Sequence, residues 1–135
     1  MADARSKLLD ALNEAISLEY GALFLLPQHI AFVQDDELKR QLRLIEEMEL
    51  EHAEKTAQMI YALGGEPKAD LPQLRPRQSV REILEAHVEG EKKAIEIYAR
   101  TAGLADSPEL RAKLEEIRKE EEGHLRIVQR ALARV

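Results

Sequence analysis

Four glutamates and two histidines in this chain are spaced for metal chemistry. Glu49 and His52 stand three residues apart, and so do Glu121 and His124. On a helix such a pair shares one face, so each can offer a carboxylate oxygen and an imidazole nitrogen to one point. Glu19 and Glu91 complete the set, because each replaces an apolar residue in the middle of a helical stripe. An isolated carboxylate in an apolar core takes up a proton sooner than stay charged, so glutamates at such positions call for a common positive partner. Four carboxylates balance two divalent cations, and their paired oxygens can bridge ions roughly 3.5–4 Å apart. Mixed imidazole and carboxylate donors suit iron or manganese better than magnesium or calcium, with zinc and copper competing on affinity. The absence of cysteine excludes disulfides, thiolate zinc sites and cysteine-ligated iron–sulfur clusters.

The elements that must hold these residues are four amphipathic helices. Apolar residues recur at spacings of three and four in four stretches, the pattern of helices that bury one stripe each. The first stripe reads Leu9, Leu12, Ile16, Glu19, Leu23, Leu26, Ile30 and the second Leu38, Leu42, Ile45, Glu49, His52, Thr56, Met59, Leu63. The third reads Leu84, Val88, Glu91, Ile95, Tyr98 and the fourth Leu110, Leu114, Ile117, Glu121, His124, Val128. Helix one is expected from about Asp3 to Val33, with an aspartate of Gln34-Asp35-Asp36 capping helix two. Helix two ends at Leu63, where Gly64-Gly65 supplies a left-handed stop. Residues 66–78 hold Pro67, Pro72 and Pro76 and form a long connection. Helix three opens at Ser79 with Glu82 three residues on, a capping box, and stops near Gly103. Ser107-Pro108-Glu109 opens helix four, which runs almost to the end of the chain. Each helix is about 40 Å long, and the extended connection spans roughly 43 Å. The fold class is therefore all-α, with two antiparallel helical hairpins joined by a crossover as long as the bundle.

A shift of 72 residues superposes the halves: Leu12 on Leu84, Glu19 on Glu91, Leu42 on Leu114, Glu49 on Glu121 and His52 on His124. Two copies of one hairpin closing on a shared core would bring both sets of polar residues to its centre. At 135 residues the chain is expected to form a single domain, residues 1–135. Aromatic residues make up only 4%, against the habit of β-sandwiches. The formal net charge of −6 repels phosphate backbones, so nucleic acid is not an expected partner. Residues Met1 to Lys7 lead straight into an amphipathic pattern with no apolar signal core. No stretch approaches the roughly 20 apolar residues of a membrane span, so a soluble cytoplasmic protein is expected.

The chain resembles the ferritin-like di-iron carboxylate superfamily, nearest to bacterioferritin-like proteins and more distantly to rubrerythrin. The resemblance is carried by Leu12-Asn-Glu-Ala-Ile-Ser-Leu-Glu-Tyr20, Glu46-Glu-Met-Glu-Leu-Glu-His-Ala-Glu-Lys55 with Leu63-Gly-Gly-Glu-Pro67, Glu91-Lys-Lys-Ala-Ile-Glu-Ile-Tyr98 and Glu120-Glu-Glu-Gly-His124. It implies a ferritin-like four-helix bundle binding two iron ions, with manganese or zinc as substitutes. By that likeness Glu19 and His52 hold one iron, Glu91 and His124 the other, and Glu49 and Glu121 bridge. The implied activity is a ferroxidase-type oxidation of Fe(II) by O2 or H2O2. The alternatives are iron storage and detoxification of the bacterioferritin type, or a rubrerythrin-like peroxidase drawing on an external electron donor. Leu50 stands where bacterioferritin carries a haem-ligating methionine, so haem is not expected. Eleven residues follow His124, too few for the fifth helix of ferritin cages, and a homo-oligomer of at least two copies is expected.

Other polar residues receive ordinary readings. Glu46, Glu47, Glu51, Glu120 and Glu122 are assigned to the solvent face. Tyr98 is expected to hydrogen-bond a ligand carboxylate from the core. His87, one turn before Glu91, is expected to be partly exposed, and His29 lies ten residues from Glu19, too far to reach the same ions. Gly21, Gly90 and Gly123 each sit within two residues of a candidate ligand, where they either admit oxygen or permit close packing.

Overall fold

The computed structural model describes residues 3–71, 73, 75, 77 and 79–135. Among them are four α-helices: α1 (Ala4–Phe32), α2 (Asp36–Ala62), α3 (Val80–Leu104) and α4 (Pro108–Ala133). Each opens on a side chain that accepts the backbone N–H three residues on. Asp3 Oδ1 accepts from Ser6 (2.7 Å), Asp35 Oδ2 from Leu38 (2.8 Å), and the Ser79 and Ser107 hydroxyls from Glu82 and Leu110 (3.1 Å each). Such a cap is worth about 1 kcal/mol. Asp3 and Val33, expected as helix ends, are the caps of α1. Past α2, Gly64 adopts φ +81°, the left-handed turn a residue without Cβ makes at least cost.

Packing defines the topology. One apolar cluster joins Leu8, Leu12 and Ile16 of early α1 to Met59 and Ile60 of late α2, Ile97 and Tyr98 of late α3, and Leu114 and Ile117 of early α4. A second joins late α1 (Leu26, Ile30) to early α2 (Leu38, Leu42), early α3 (Leu84, Val88) and late α4 (Val128). Thus α1 and α4 run one way and α2 and α3 the other, and the 64–79 connection must travel the full length of the bundle. Its first residues lie along α1: Asn13 Oδ1 accepts from the Lys68 amide (2.6 Å), and the Ser17 hydroxyl accepts from the Asp70 amide (3.1 Å). The Arg5 guanidinium donates to the Leu63 carbonyl where the connection begins. Pro67 lies within it, whereas Pro72 and Pro76 fall outside the described residues.

The buried stripes are wider than the spacing alone predicts. Leu8, Ile83 and Ile97 are buried off the predicted stripes, and Leu9, Leu23, Leu63, Ile95 and Leu110 are only partly covered. A bundle helix meets two neighbours, so its apolar arc takes in residues on either side of a single seam. Between the two apolar clusters, at mid-height, lie the polar interruptions.

Candidate metal centre

Glu19 on α1, Glu49 and His52 on α2, Glu91 on α3, and Glu121 and His124 on α4 are all buried, none more than 5% exposed. They converge as two overlapping groups: Glu19, Glu49, His52 and Glu121, and Glu49, Glu91, Glu121 and His124. In each group one potential ligand atom per residue lies within 4.8 Å of the others, and Glu49 and Glu121 belong to both. His52 Nδ1 lies 3.0 Å from Glu121, 3.2 Å from Glu49 and 3.4 Å from Glu19. His124 Nδ1 lies 3.1 Å from Glu49, 3.2 Å from Glu121 and 3.8 Å from Glu91. The two imidazoles stack with ring centroids 5.8 Å apart. The Glu-x-x-His spacing of α2 and α4 produces this arrangement, placing carboxylate and imidazole of each pair on one face.

The donors fit a cation better than they fit each other. Both oxygens of Glu19 and of Glu121, one each of Glu49 and Glu91, and Nδ1 of both histidines make no well-aligned hydrogen bond, although the imidazoles and carboxylates lie within ion-pairing distance of one another. Such a concentration of unsatisfied buried polar atoms is costly unless something else binds them. Burial, and then the charges of Glu121, Glu49 and Glu19, push Glu91 up to about 11. Glu19 is pushed well up by burial and by Glu49. In the Glu49–Glu121 pair, burial and Glu49 push Glu121 up. Burial also acts to raise Glu49, but contact with Glu121, His124 and His52 overrides it and holds Glu49 below the usual carboxylate range. Burial opposes charge on the imidazoles, yet the carboxylates prevail. Glu121, Glu19 and Glu49 push His52 up to about 12, and Glu121 and Glu49 push His124 up to about 9. Without a cation the cluster therefore neutralises itself with protons.

A sequence model of the ferritin-like domain matches residues 9–135. The chain belongs to the ferritin-like family. No curated protein matches the sequence significantly. Among solved structures, a ferritin-like diiron-carboxylate protein of Bacillus anthracis str. Ames shares 28% identity at a TM-score of 0.90, covering 98% of this chain and 99% of that one. The Desulfovibrio desulfuricans bacterioferritin, described with its diiron site in different catalytic states, shares 28% identity at a TM-score of 0.85, covering 97% and 81%. A dodecameric thioferritin of Bacteroides fragilis, related to bacterioferritin, shares the fold at 24% identity and a TM-score of 0.84, covering 97% and 86%. The expected fold, two antiparallel hairpins with a long crossover, is thus the fold observed.

Around the six residues, this ferritin-like chain corrects the expectations for Glu120 and Tyr98 and adds a contact made by Met48. Glu120 is not simply a solvent-face residue: its Oε1 lies 3.4 Å from His52 Nε2. Met48 lies inward as well, its sulfur 3.3 Å from His124 Nε2. Tyr98 is wholly buried, but its hydroxyl bonds Thr56 Oγ1 (3.0 Å) and not a carboxylate. Burial, Glu19's charge and the other nearby carboxylates push the phenol well up, so it stays neutral.

A cavity of about 580 Å3 reaches the cluster between α1 and α3, with Glu19, Glu49 and Glu91 among the residues on its wall. Gly21 and Gly90 line it too. A Cβ on Gly90 would meet nothing within 4 Å, and one on Gly123 only Arg126 at 3.8 Å, so close helix packing does not explain either glycine. The same cavity holds a feature the sequence did not reveal: His29 Nδ1 and His87 Nε2 are 2.9 Å apart, their rings edge to face. Burial and then Arg77 lower His29, while burial and then His29 lower His87 to about 4, so both imidazoles are neutral near pH 7. His29 is absent from both ligand groups, as its distance along α1 predicts. Among the described residues, no helix is long and apolar enough to cross a membrane.

Proposed function

We propose that this chain is a di-iron oxidoreductase of the ferroxidase type, acting in iron homeostasis. The observation that supports it is the pair of buried four-residue groups sharing Glu49 and Glu121, whose inward atoms make no well-aligned hydrogen bond. In this reading Glu19 and His52 hold one iron, Glu91 and His124 the other, and Glu49 and Glu121 bridge. Two Fe(II) substrate ions each give up one electron, and the two electrons with two protons reduce O2 to H2O2, or H2O2 to water. The chain's own residues supply negative charge that favours the ferric product, keep bulk water out, and bind protons whenever the ions leave. The cavity lined by Gly90 gives the ions and the oxidant a path from solvent. Apolar residues left exposed on the outer faces of α1 and α2, Phe24, Phe32, Leu44 and Leu50, favour a homo-oligomer.

Stopped-flow mixing of the metal-free protein, preloaded anaerobically with two Fe(II) per chain, against O2 or H2O2 tests the reading. Rapid oxidation should be seen in the wild type and lost in Glu121→Ala. Rates equal to free Fe(II), or unchanged in Glu121→Ala, would refute it. Sedimentation after iron loading separates the alternatives: a large shell holding many irons per chain indicates storage. A peroxidase would instead turn over repeatedly only with an added reductant.

A further inference from the structure

The internal repeat places the six central residues symmetrically, but the residues just outside them are not symmetric. Both histidines turn Nδ1 toward the shared carboxylates and Nε2 outward. Positions 48 and 120 are related by the same 72-residue shift that relates the candidate ligands. Each lies against the outer nitrogen of the histidine in the opposite hairpin. The Glu120 carboxylate is 3.4 Å from His52 Nε2, whereas the Met48 sulfur is 3.3 Å from His124 Nε2. One turn further out the difference repeats. The Thr56–Tyr98 hydroxyl pair is matched, under the shift, by the buried apolar Val128 and Leu26.

An imidazole that binds a metal through Nδ1 keeps its proton on Nε2 and must donate it. A carboxylate is a strong acceptor for that proton, and a thioether is a weak one. A carboxylate there fixes the ring, selects the tautomer and makes Nδ1 a stronger donor. Exchange of such an outer partner typically changes metal affinity 10–100-fold.

We propose that the two halves of the centre are unequal, with the Glu19/His52 half, backed by Glu120, filling first and the Glu91/His124 half, backed by Met48, filling second. This rests on the metal-centre reading above. The half backed by Met48 is then the one that exchanges its ion with solution. Glu120 and Met48 act as positioning residues through the histidines.

The experiment uses the full-length metal-free protein and Co(II) as the probe. Crystals grown with one Co(II) per chain, measured at the cobalt edge, should show the ion beside His52. The double variant Glu120→Met/Met48→Glu keeps composition and net charge, and should move it beside His124. In solution, absorbance titration should give two affinities about 10–100-fold apart, and Glu120→Gln alone should narrow that gap. Equal cobalt at both positions in the wild type would overturn the proposal, as would a double variant that keeps cobalt at His52 or an unchanged gap in Glu120→Gln. Cobalt at neither position would overturn the metal-centre reading and this inference with it.

Discussion

Replacing Glu19 with methionine should strengthen the metal-free protein and weaken the metal-loaded one. Glu19 is 1% exposed, and its carboxylate makes no well-aligned hydrogen bond, its nearest polar neighbour being His52 Nδ1 at 3.4 Å. A buried polar group left unsatisfied costs about 1–3 kcal/mol. Methionine has similar length, forms helices well and continues the apolar stripe of Ile16 and Leu26. Without metal, the variant should gain about 1–3 kcal/mol, or roughly 3–5 °C of Tm per kcal/mol for a chain of this size. With cation present at about 100 times its Kd, the wild type gains about 2.7 kcal/mol per site, and the variant, missing a ligand, gains less. The order of the two melting curves should therefore invert on adding Co(II) or anaerobic Fe(II). Calorimetric melts of both proteins, with chelator and with metal, provide the assay. A variant that melts below the wild type in chelator would refute the reasoning, because Glu19 would then be satisfied by the protein alone.

Because His52, His124 and Glu91 hold protons up to about 12, 9 and 11, cations must displace protons at pH 7. Metal affinity should rise with pH through the neutral range, and calorimetry in buffers of different ionisation enthalpy should show net proton release on metal binding; no release would refute this reading. For the His29–His87 pair the sign is opposite. Their folded pKa values are lowered, so the unfolded chain binds more protons below pH 6.5 and the pair's stabilisation is lost on acidification. The raised carboxylates of the cluster titrate with the opposite sign, so the pair's share, about 1 kcal/mol between pH 7 and 5 after allowance for partial exposure of His87, should be read in urea melts as the difference in pH dependence between wild type and His87→Gln. Gly64→Ala should destabilise by about 1–2 kcal/mol in the same assay, since φ +81° is unfavourable for an L residue and the new Cβ would meet the Arg5 guanidinium at 2.7 Å.

The candidate ligands were legible because a charge inside a buried stripe is anomalous. Glu19, Glu49, Glu91 and Glu121 each break an apolar rhythm at the same height, and the 72-residue repeat repeats the anomaly. Helix ends were equally readable, since Asp3, Asp35, Ser79 and Ser107 act through the three residues that follow them. What escaped depends on contact between helices. Glu120 and Met48 each lie four residues before a histidine of their own helix but touch the one opposite, and Glu120 sits in a run of glutamates that reads as solvent face. The mismatch at shift-related positions was the available signal. The His29–His87 contact joins α1 to α3, and no spacing within either helix encodes it.

The polar band at mid-height divides the bundle's interior into two separate apolar cores, each built from one end of all four helices. Every helix passes unbroken through this waist, so two ions bound there would act as a rivet between halves otherwise linked by the helices themselves. Losing the ions would uncouple the ends, letting either one open while the other stays closed. Amide exchange would then read one cooperative unit in the loaded protein and two in the empty one.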